Sequence, residues 1–424
     1  MKIKVFVNLL FCFVLACTAE PIIMPVTSTS TTTMDINPTL TTTPSLDCKI
    51  TFETISKQNL IDEKLLLSGI LYKPNHLSVS PSYIFDLKSG EYVPILQDEN
   101  RQILDTTFAV SSNGQYLAYV DIDLNENSNA STILHIVNAN GVEENKFLLG
   151  FRPGNAKWIN DNEMYIEKIQ ENLDAITDKP DAGLLIINKN DGKILEVPNE
   201  YPGQWNGDNL FWDFTLSRVV FNSSFTRVIY PTYVDPNRII RLVDTENNQV
   251  VVDIPTTDYG KFPTWSYDDK KLAYVTQMKQ EASWSDYQDE IFIVSDVGDI
   301  SQVTSISEST NYSYITGLAW SPDNRYIAFW VNNSNWEEGY KGVHLSIVDT
   351  QTKDISQYCN FKGIDGKEYI PLSGNPIWSL DGKHLALNLV DREKEEQNIV
   401  IIFDIALEKA YHIADEFLAI GWMK

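Results

Sequence analysis

Asp121, Asp123 and Asn125 place side-chain oxygen atoms at alternate positions of one short segment. Alternating oxygen ligands begin the calcium loop of an EF-hand, because Ca²⁺ binds several hard oxygen donors. The segment lacks the glycine that such a loop has at its sixth position and the glutamate at its end. Two interpretations remain, a calcium site and a solvated acidic turn, and the missing residues favour the turn. No other cofactor is indicated.

Histidines are scarce, and their spacing does not suggest a catalytic centre. The five are scattered along the chain at His76, His135, His344, His384 and His412. So few histidines leave most zinc sites and most general-base mechanisms without the ligands or bases that they need. The chain also has no Gly-x-Ser-x-Gly turn of a hydrolase nucleophile. We therefore assign no catalytic residue, and a carbohydrate-active lyase or hydrolase is kept as the alternative function.

Aromatic residues in polar segments between strands are candidates for recognition. Tyrosine and tryptophan in exposed loops suit contact with a sugar or a protein. The alternative is that these rings fold over the rim and pack on their own strands. The candidates are Trp205, Trp212, Trp284, Tyr287, Tyr312, Tyr314, Trp336 and Tyr340.

The amino-terminal segment predicts export and lipid attachment. Two lysines precede an apolar run that is too short to span a bilayer. The run ends in Val14-Leu15-Ala16-Cys17, which resembles a bacterial lipobox with Cys17 as the lipidated residue. We expect a signal peptide over residues 1–16 and an extracytoplasmic protein of the bacterial cell envelope. Its only membrane contact would be the lipid. The alternative is a plain secretory peptide in which Cys17 follows Ala16 by chance.

Residues 17–47 predict a flexible tether, because twelve of the nineteen positions from 27 to 45 are serine or threonine, and such a stretch cannot bury an apolar core. Cys48 and Cys359 then remain in a compartment that permits disulfides. The two could form a disulfide or stand as unrelated buried thiols, since sequence cannot supply the geometry.

One phrase recurs through the rest of the chain and predicts the fold. Its clearest copies are Trp320-Ser-Pro-Asp-Asn-Arg-Tyr-Ile-Ala-Phe329, Trp265-Ser-Tyr-Asp-Asp-Lys-Lys-Leu-Ala-Tyr274 and Trp378-Ser-Leu-Asp-Gly-Lys-His-Leu-Ala-Leu387. A bulky residue ends one strand (A), a polar cluster makes the turn, and an aliphatic-Ala run begins the next strand (B). Two further apolar runs follow each copy as strands C and D. Four-stranded units that recur along a chain in this way are typical of a β-propeller.

The ends of the chain predict how the ring closes. Residues 417–424 look like strand A with no strand B after it, whereas Asp62–Leu67 looks like strand B with no strand A before it. The fold class is therefore all-β, a seven-bladed β-propeller over residues 48–424 with one-plus-three strand closure of the first blade. In this arrangement the B–C and D–A loops share one face, and the A–B and C–D turns share the other.

The repeat resembles the TolB-type propeller family, whose Trp-Ser-Pro-Asp-Gly phrase is matched best at Trp320 and Trp378. The family includes envelope scaffolds, protease propellers and lyases, so the resemblance implies the fold more than the function. The net charge of −25 argues against nucleic acid as a partner. We expect a binding or scaffolding module with a protein or glycan ligand on the B–C/D–A face.

Overall fold

The protein forms seven β-sheets, each of which is one blade of a propeller. This computed structural model describes residues 49–54, 62–69, 82–95, 101–103, 107–123, 132–151, 153–168, 183–196, 220–234, 237–255, 263–278, 288–308, 312–333, 343–358, 360–363, 366–372, 374–393 and 397–424. The predicted fold class, a seven-bladed propeller, is confirmed.

Each blade is an antiparallel sheet of strands A to D. Blade 1 has Phe417–Met423, Lys64–Gly69, Ser82–Asp86 and Glu91–Pro94. Blade 2 has Ala109–Val110, Tyr116–Asp123, Ile133–Asn138 and Glu143–Leu148, with Arg101–Ile103 added beside the second strand. Blade 3 has Pro153–Trp158, Glu163–Lys168, Gly183–Asn188 and Ile194–Glu196. Blade 4 has Val220–Phe221, Arg227–Val234, Asn237–Asp244 and Gln249–Pro255.

The remaining blades follow the same order. Blade 5 has Thr264–Trp265, Lys271–Gln277, Asp289–Ser295 and Ile300–Gln302, followed by the 3₁₀ turn Ile306–Glu308. Blade 6 has Tyr314–Trp320, Tyr326–Asn332, Val343–Asp349 and Ile355–Gln357. Blade 7 has Ile377–Trp378, His384–Asp391, Asn398–Asp404 and Lys409–Asp415. Its sheet is widened by Lys49–Thr54, Asn360–Lys362 and Glu368–Pro371.

The ring closes between the two ends of the chain. Phe417–Met423 pairs antiparallel with Lys64–Gly69, from Phe417 opposite Gly69 to Met423 opposite Lys64. The predicted one-plus-three closure is therefore confirmed. Lys49–Thr54 lies outside this blade, because it runs parallel to Lys409–Asp415 at the outer edge of blade 7.

The recurring phrase forms the same turn in each well-matched blade. In blade 6, Ser321 Oγ donates to Asp323 Oδ1 and accepts from the Tyr326 backbone N–H at 2.8 Å. Asn324, the residue after the aspartate, has a φ of 60°. This left-handed conformation suits asparagine, aspartate and glycine, which explains the polar cluster in each copy.

Hydrophobic cores lie between neighbouring blades. The cluster that joins the first and last blades contains Leu65 and Leu67 of blade 1 with Ala386, Val400 and Ile402 of blade 7, all fully buried. Similar clusters join the other neighbours. Because one face of a blade buries its side chains against the next blade, a single blade cannot be stable alone.

A C–D turn offers a stabilising substitution. Glu408 is exposed and has a φ of 52°, at the turn position where other blades have glycine, for example Gly141 and Gly192. We expect Glu408→Gly to raise stability by about 1 kcal/mol, because the strain of a left-handed residue exceeds the backbone entropy cost of glycine. Thermal unfolding measures the gain. Glu408→Ala keeps the strain and is expected to give none, so an equal gain from both variants would contradict this explanation.

Candidate binding site: the axial cavity

All seven blades contribute to one cavity on the propeller axis. It has a volume of about 470 Å³ and is lined by the ends of the A strands and by several A–B turns. A volume of this order is usual for ligand sites in proteins. Its mouth opens on the face of the A–B turns. This is the opposite face from the B–C and D–A loops, where the sequence predicted the ligand.

Blade 3 supplies the most unusual lining. Lys157 and Tyr165 are directly opposite each other on neighbouring strands, and both line the cavity. The corresponding pair is Ala109 and Ala118 in blade 2, and Ala319 and Ala328 in blade 6. Blade 3 thus places a cation and a phenol where blades 2 and 6 have two alanines.

Lys157 lines the cavity, and its side chain is exposed to solvent there. Desolvation by the surrounding cavity wall lowers the pKa of its ammonium group, and the negative charge of Asp269 opposes the shift. Among the described residues, none accepts a hydrogen bond from Lys157 Nζ. The cavity therefore holds a cation without a direct partner in the described part of the chain.

Two tyrosines add hydroxyl groups to the cavity. Tyr267 stands in the A–B turn of blade 5, at the position that Pro322 has in the A–B turn of blade 6. Its side chain lines the cavity, and 47% of the residue surface is exposed. Burial raises the pKa of Tyr267 and also that of Tyr165, where the charge of Glu167 adds to the effect. Both phenols consequently stay protonated and can donate hydrogen bonds.

The carboxylate of Asp269 is already occupied by neighbouring donors. It accepts from the Ser223 backbone N–H at 2.8 Å, the Ser223 hydroxyl at 2.5 Å and the Ser224 backbone N–H at 2.9 Å. Asp269 has a φ of 60° and belongs to blade 5, whereas the two serines belong to blade 4. This contact fixes the position of two A–B turns at the mouth.

The axial cavity was not predicted, although the sequence contains an exception to the repeat that points to it. Lys157 stands immediately before the strand-A tryptophan of its blade, where the other blades have the uncharged residues Ala109, Val220, Thr264, Ala319, Ile377 and Gly421. Aligning the repeats position by position would have singled out Lys157 and Tyr165 as exceptions.

The predicted B–C/D–A surface is only partly described. Tyr314 begins the strand Tyr314–Trp320 and Tyr312 lies just before it; both are partly buried. The other aromatic candidates lie outside the described residues, namely Trp205, Trp212, Trp284, Tyr287, Trp336 and Tyr340. Their role stays a prediction, as does that of Cys17 and the pairing of Cys48 with Cys359, which also lie outside.

The predicted acidic loop begins later than expected. Asp121 and Asp123 belong to the strand Tyr116–Asp123, so the loop assignment was wrong for them, while Asn125 lies outside the described residues. Asp121 is fully buried, and its Oδ2 lies 3.1 Å from His135 Nε2. The calcium interpretation stays untested, but the Asp121 carboxylate faces a histidine in its own blade.

His135 lies between two carboxylates of blade 2. Its Nδ1 is 2.6 Å from Glu143 Oε2, its Nε2 faces Asp121, and its ring stacks on Tyr119 at 4.8 Å. Burial alone would lower the His135 pKa, but the contacts with Asp121 and Glu143 outweigh it, and the pKa is raised. A raised pKa means that folding favours the protonated ring.

This arrangement predicts a pH dependence. The stabilisation by His135 is fully present below its unfolded pKa of about 6.5 and is lost as the pH rises through the folded value. We expect NMR titration to place the His135 pKa above 6.5, and Asp121→Asn to lower it. Glu143→Gln should lower it less, because the Glu143 side chain is 42% exposed. A pKa that Asp121→Asn leaves unchanged would contradict the assignment.

Two other histidines, His384 and His412, pair with carboxylates of their own blade. His384 lies 3.5 Å from Asp404 and His412 lies 3.0 Å from Asp415, both in blade 7. Within the described ranges, no three His, Cys, Asp or Glu side chains are arranged to hold a metal ion. This geometry does not favour the lyase alternative. No helix in the described part of the chain is long and apolar enough to cross a membrane.

Comparison with known proteins finds similar folds. No family model and no curated protein matches the sequence. An oligogalacturonate lyase from Vibrio parahaemolyticus is 11% identical with a TM-score of 0.48, over 82% of this chain and 84% of that one. TolB from Acinetobacter baumannii is 11% identical with a TM-score of 0.42, over 82% and 80%. The Cps50 (Swd1) propeller domain of Myceliophteria thermophila is 12% identical with a TM-score of 0.43, over 76% and 90%. At this identity the likeness concerns the propeller fold alone.

Proposed function

We propose that this chain is a lipid-anchored propeller of the bacterial cell envelope that binds a partner at its axial cavity. One observation carries the proposal. The cavity combines the ammonium group of Lys157 with the hydroxyl groups of Tyr165 and Tyr267, none of which is used in a described hydrogen bond. Polar groups that converge in a concave site without internal partners are typical of ligand recognition. The B–C/D–A aromatic residues would form a second contact surface.

Position-specific photocross-linking in cells tests the binding function. A photoreactive amino acid at Tyr267 stands at the mouth, and the same amino acid at Leu407 stands on a C–D turn of the same face. Tyr267 is 47% exposed and Leu407 60%, so the control is at least as accessible. We expect one defined adduct from position 267 and none of that mass from position 407. Identical adducts from both positions, or none from 267, would overturn the axial site.

The lipid anchor has its own test. We expect Cys17→Ser to abolish incorporation of radioactive palmitate and to move the protein from the detergent phase to the aqueous phase. The physical reason is that the acyl chains supply the apolar surface that holds the protein at the membrane. A wild-type protein that already partitions into the aqueous phase would contradict the anchor and leave plain secretion.

A further inference from the structure

The groups that line the axial cavity differ in whether they are still able to bind a ligand. Asn160 Oδ1 accepts from the Asn162 and Glu163 backbone N–H groups, and its amide donates to Glu163. Asn222 is similarly occupied, since it donates to Ser224 and Thr226 and accepts from the Arg227 backbone. These side chains hold the A–B turns together and have little capacity left.

Three lining groups that lack a described hydrogen-bond partner can donate hydrogen bonds. They are the Lys157 ammonium and the Tyr165 and Tyr267 hydroxyls, and all three side chains line the same cavity. Asp269, the charge that interacts with Lys157, already accepts three hydrogen bonds from Ser223 and Ser224. One cation and two phenols favour an oxyanion, since charge-assisted hydrogen bonds from such donors are short and strong.

The residues around the mouth carry negative charge, opposite to that of the Lys157 ammonium. The fourth position of the recurring phrase is an exposed aspartate in four blades, at Asp161, Asp268, Asp323 and Asp381. The whole chain carries a net charge of −25. A polyanion such as an acidic polysaccharide would be repelled by this field, whereas one anionic group with cationic neighbours would be attracted.

We propose that the axial cavity binds a segment of a partner protein that inserts one carboxylate between Lys157, Tyr165 and Tyr267 and places basic residues against the aspartates around the mouth. This inference rests on the proposed function and names the chemistry of the partner. The carboxylate would also give Lys157 the direct counter-ion that it lacks among the described residues.

Two blocked peptides test the proposal on the purified full-length protein in detergent. One has a glutamate between two pairs of lysines, and the other has glutamine in its place. We expect calorimetry to show that the glutamate peptide binds about tenfold or more tightly than the glutamine peptide. Lys157→Met should remove this difference, because the carboxylate then has no cation. Lys193→Met, which changes an exposed lysine on a C–D turn, should retain it.

Several results would overturn the proposal. They are equal binding of the two peptides, no binding of either up to millimolar concentration, a preference that survives Lys157→Met, and tighter binding of an oligouronate than of the glutamate peptide. Thermal unfolding of Lys157→Met controls for loss of the fold. If the cross-link at Tyr267 forms equally in wild type and Lys157→Met while the peptides fail, the binding function stands and only the carboxylate inference falls.

Discussion

Removing residues 417–424 is expected to abolish cooperative folding of the propeller. These residues supply the whole innermost strand of blade 1, which pairs with Lys64–Gly69 over its full length. Ala419, Trp422 and Met423 are at most 2% exposed. Each large apolar side chain contributes about 1.5–3 kcal/mol by burial, and the deletion would also leave the edge of Lys64–Gly69 unpaired. Together these losses are comparable to the total stability of a typical domain.

The carboxyl terminus also ties three blades together. The Trp422 indole N–H donates to the Ile377 carbonyl of blade 7 at 2.9 Å. The Lys424 backbone N–H donates to the Gly114 carbonyl in the A–B turn of blade 2, also at 2.9 Å. Loss of this segment would therefore break the ring on both sides of blade 1.

Circular dichroism and calorimetry measure the effect of the truncation after residue 416. We expect no sharp thermal transition, whereas the full chain should unfold cooperatively. Deleting Lys424 alone is the matched control, since it keeps the strand Phe417–Met423 and should lower the melting temperature by only a few degrees. A truncated chain that melts like the full chain would contradict the closure as the source of stability.

The sequence could predict the blades because each copy of the phrase forms its turn from local contacts. The hydroxyl of Ser266 donates to Asp268 and accepts from the Lys271 backbone, just as Ser379 donates to Asp381 and accepts from the His384 backbone. Residues that interact within six positions leave a pattern that can be read along the chain. The closure was predictable for the same reason, since each end carried half of that pattern.

The axial cavity was harder to predict because it depends on residues from different blades. The sequence places Lys157 at the end of an A strand, but only the curvature of the ring brings it near Asp269, over a hundred residues later. The Asp121 carboxylate was misassigned for a related reason. The strand Tyr116–Asp123 continues to Asp123 because its last residues pair with the added strand Arg101–Ile103. The repeat did not predict this added strand.

A set of tryptophan hydrogen bonds links the blades around the axis. The Trp320 indole N–H donates to the Thr264 carbonyl of blade 5 at 3.0 Å, and the Trp378 indole N–H donates to the Ala319 carbonyl of blade 6 at 2.9 Å. Thr264 and Ala319 each precede the corresponding tryptophan of their own blade. The recurring tryptophan therefore fills the space between two blades and also satisfies a backbone carbonyl of the neighbouring one.

Trp320→Ala is expected to destabilise the protein by about 3–5 kcal/mol, because Trp320 is 3% exposed and its removal leaves a cavity between blades 5 and 6. Trp320→Phe keeps much of the ring but leaves the Thr264 carbonyl without its donor, so we expect a loss of about 1–3 kcal/mol. Chemical denaturation measures both. Trp265→Phe is the matched control, since the Trp265 indole lies 3.4 Å from the Val220 carbonyl and its longer hydrogen bond should cost less to remove. If both phenylalanine variants are as stable as the wild type, packing alone joins the blades and the indole hydrogen bonds contribute nothing measurable.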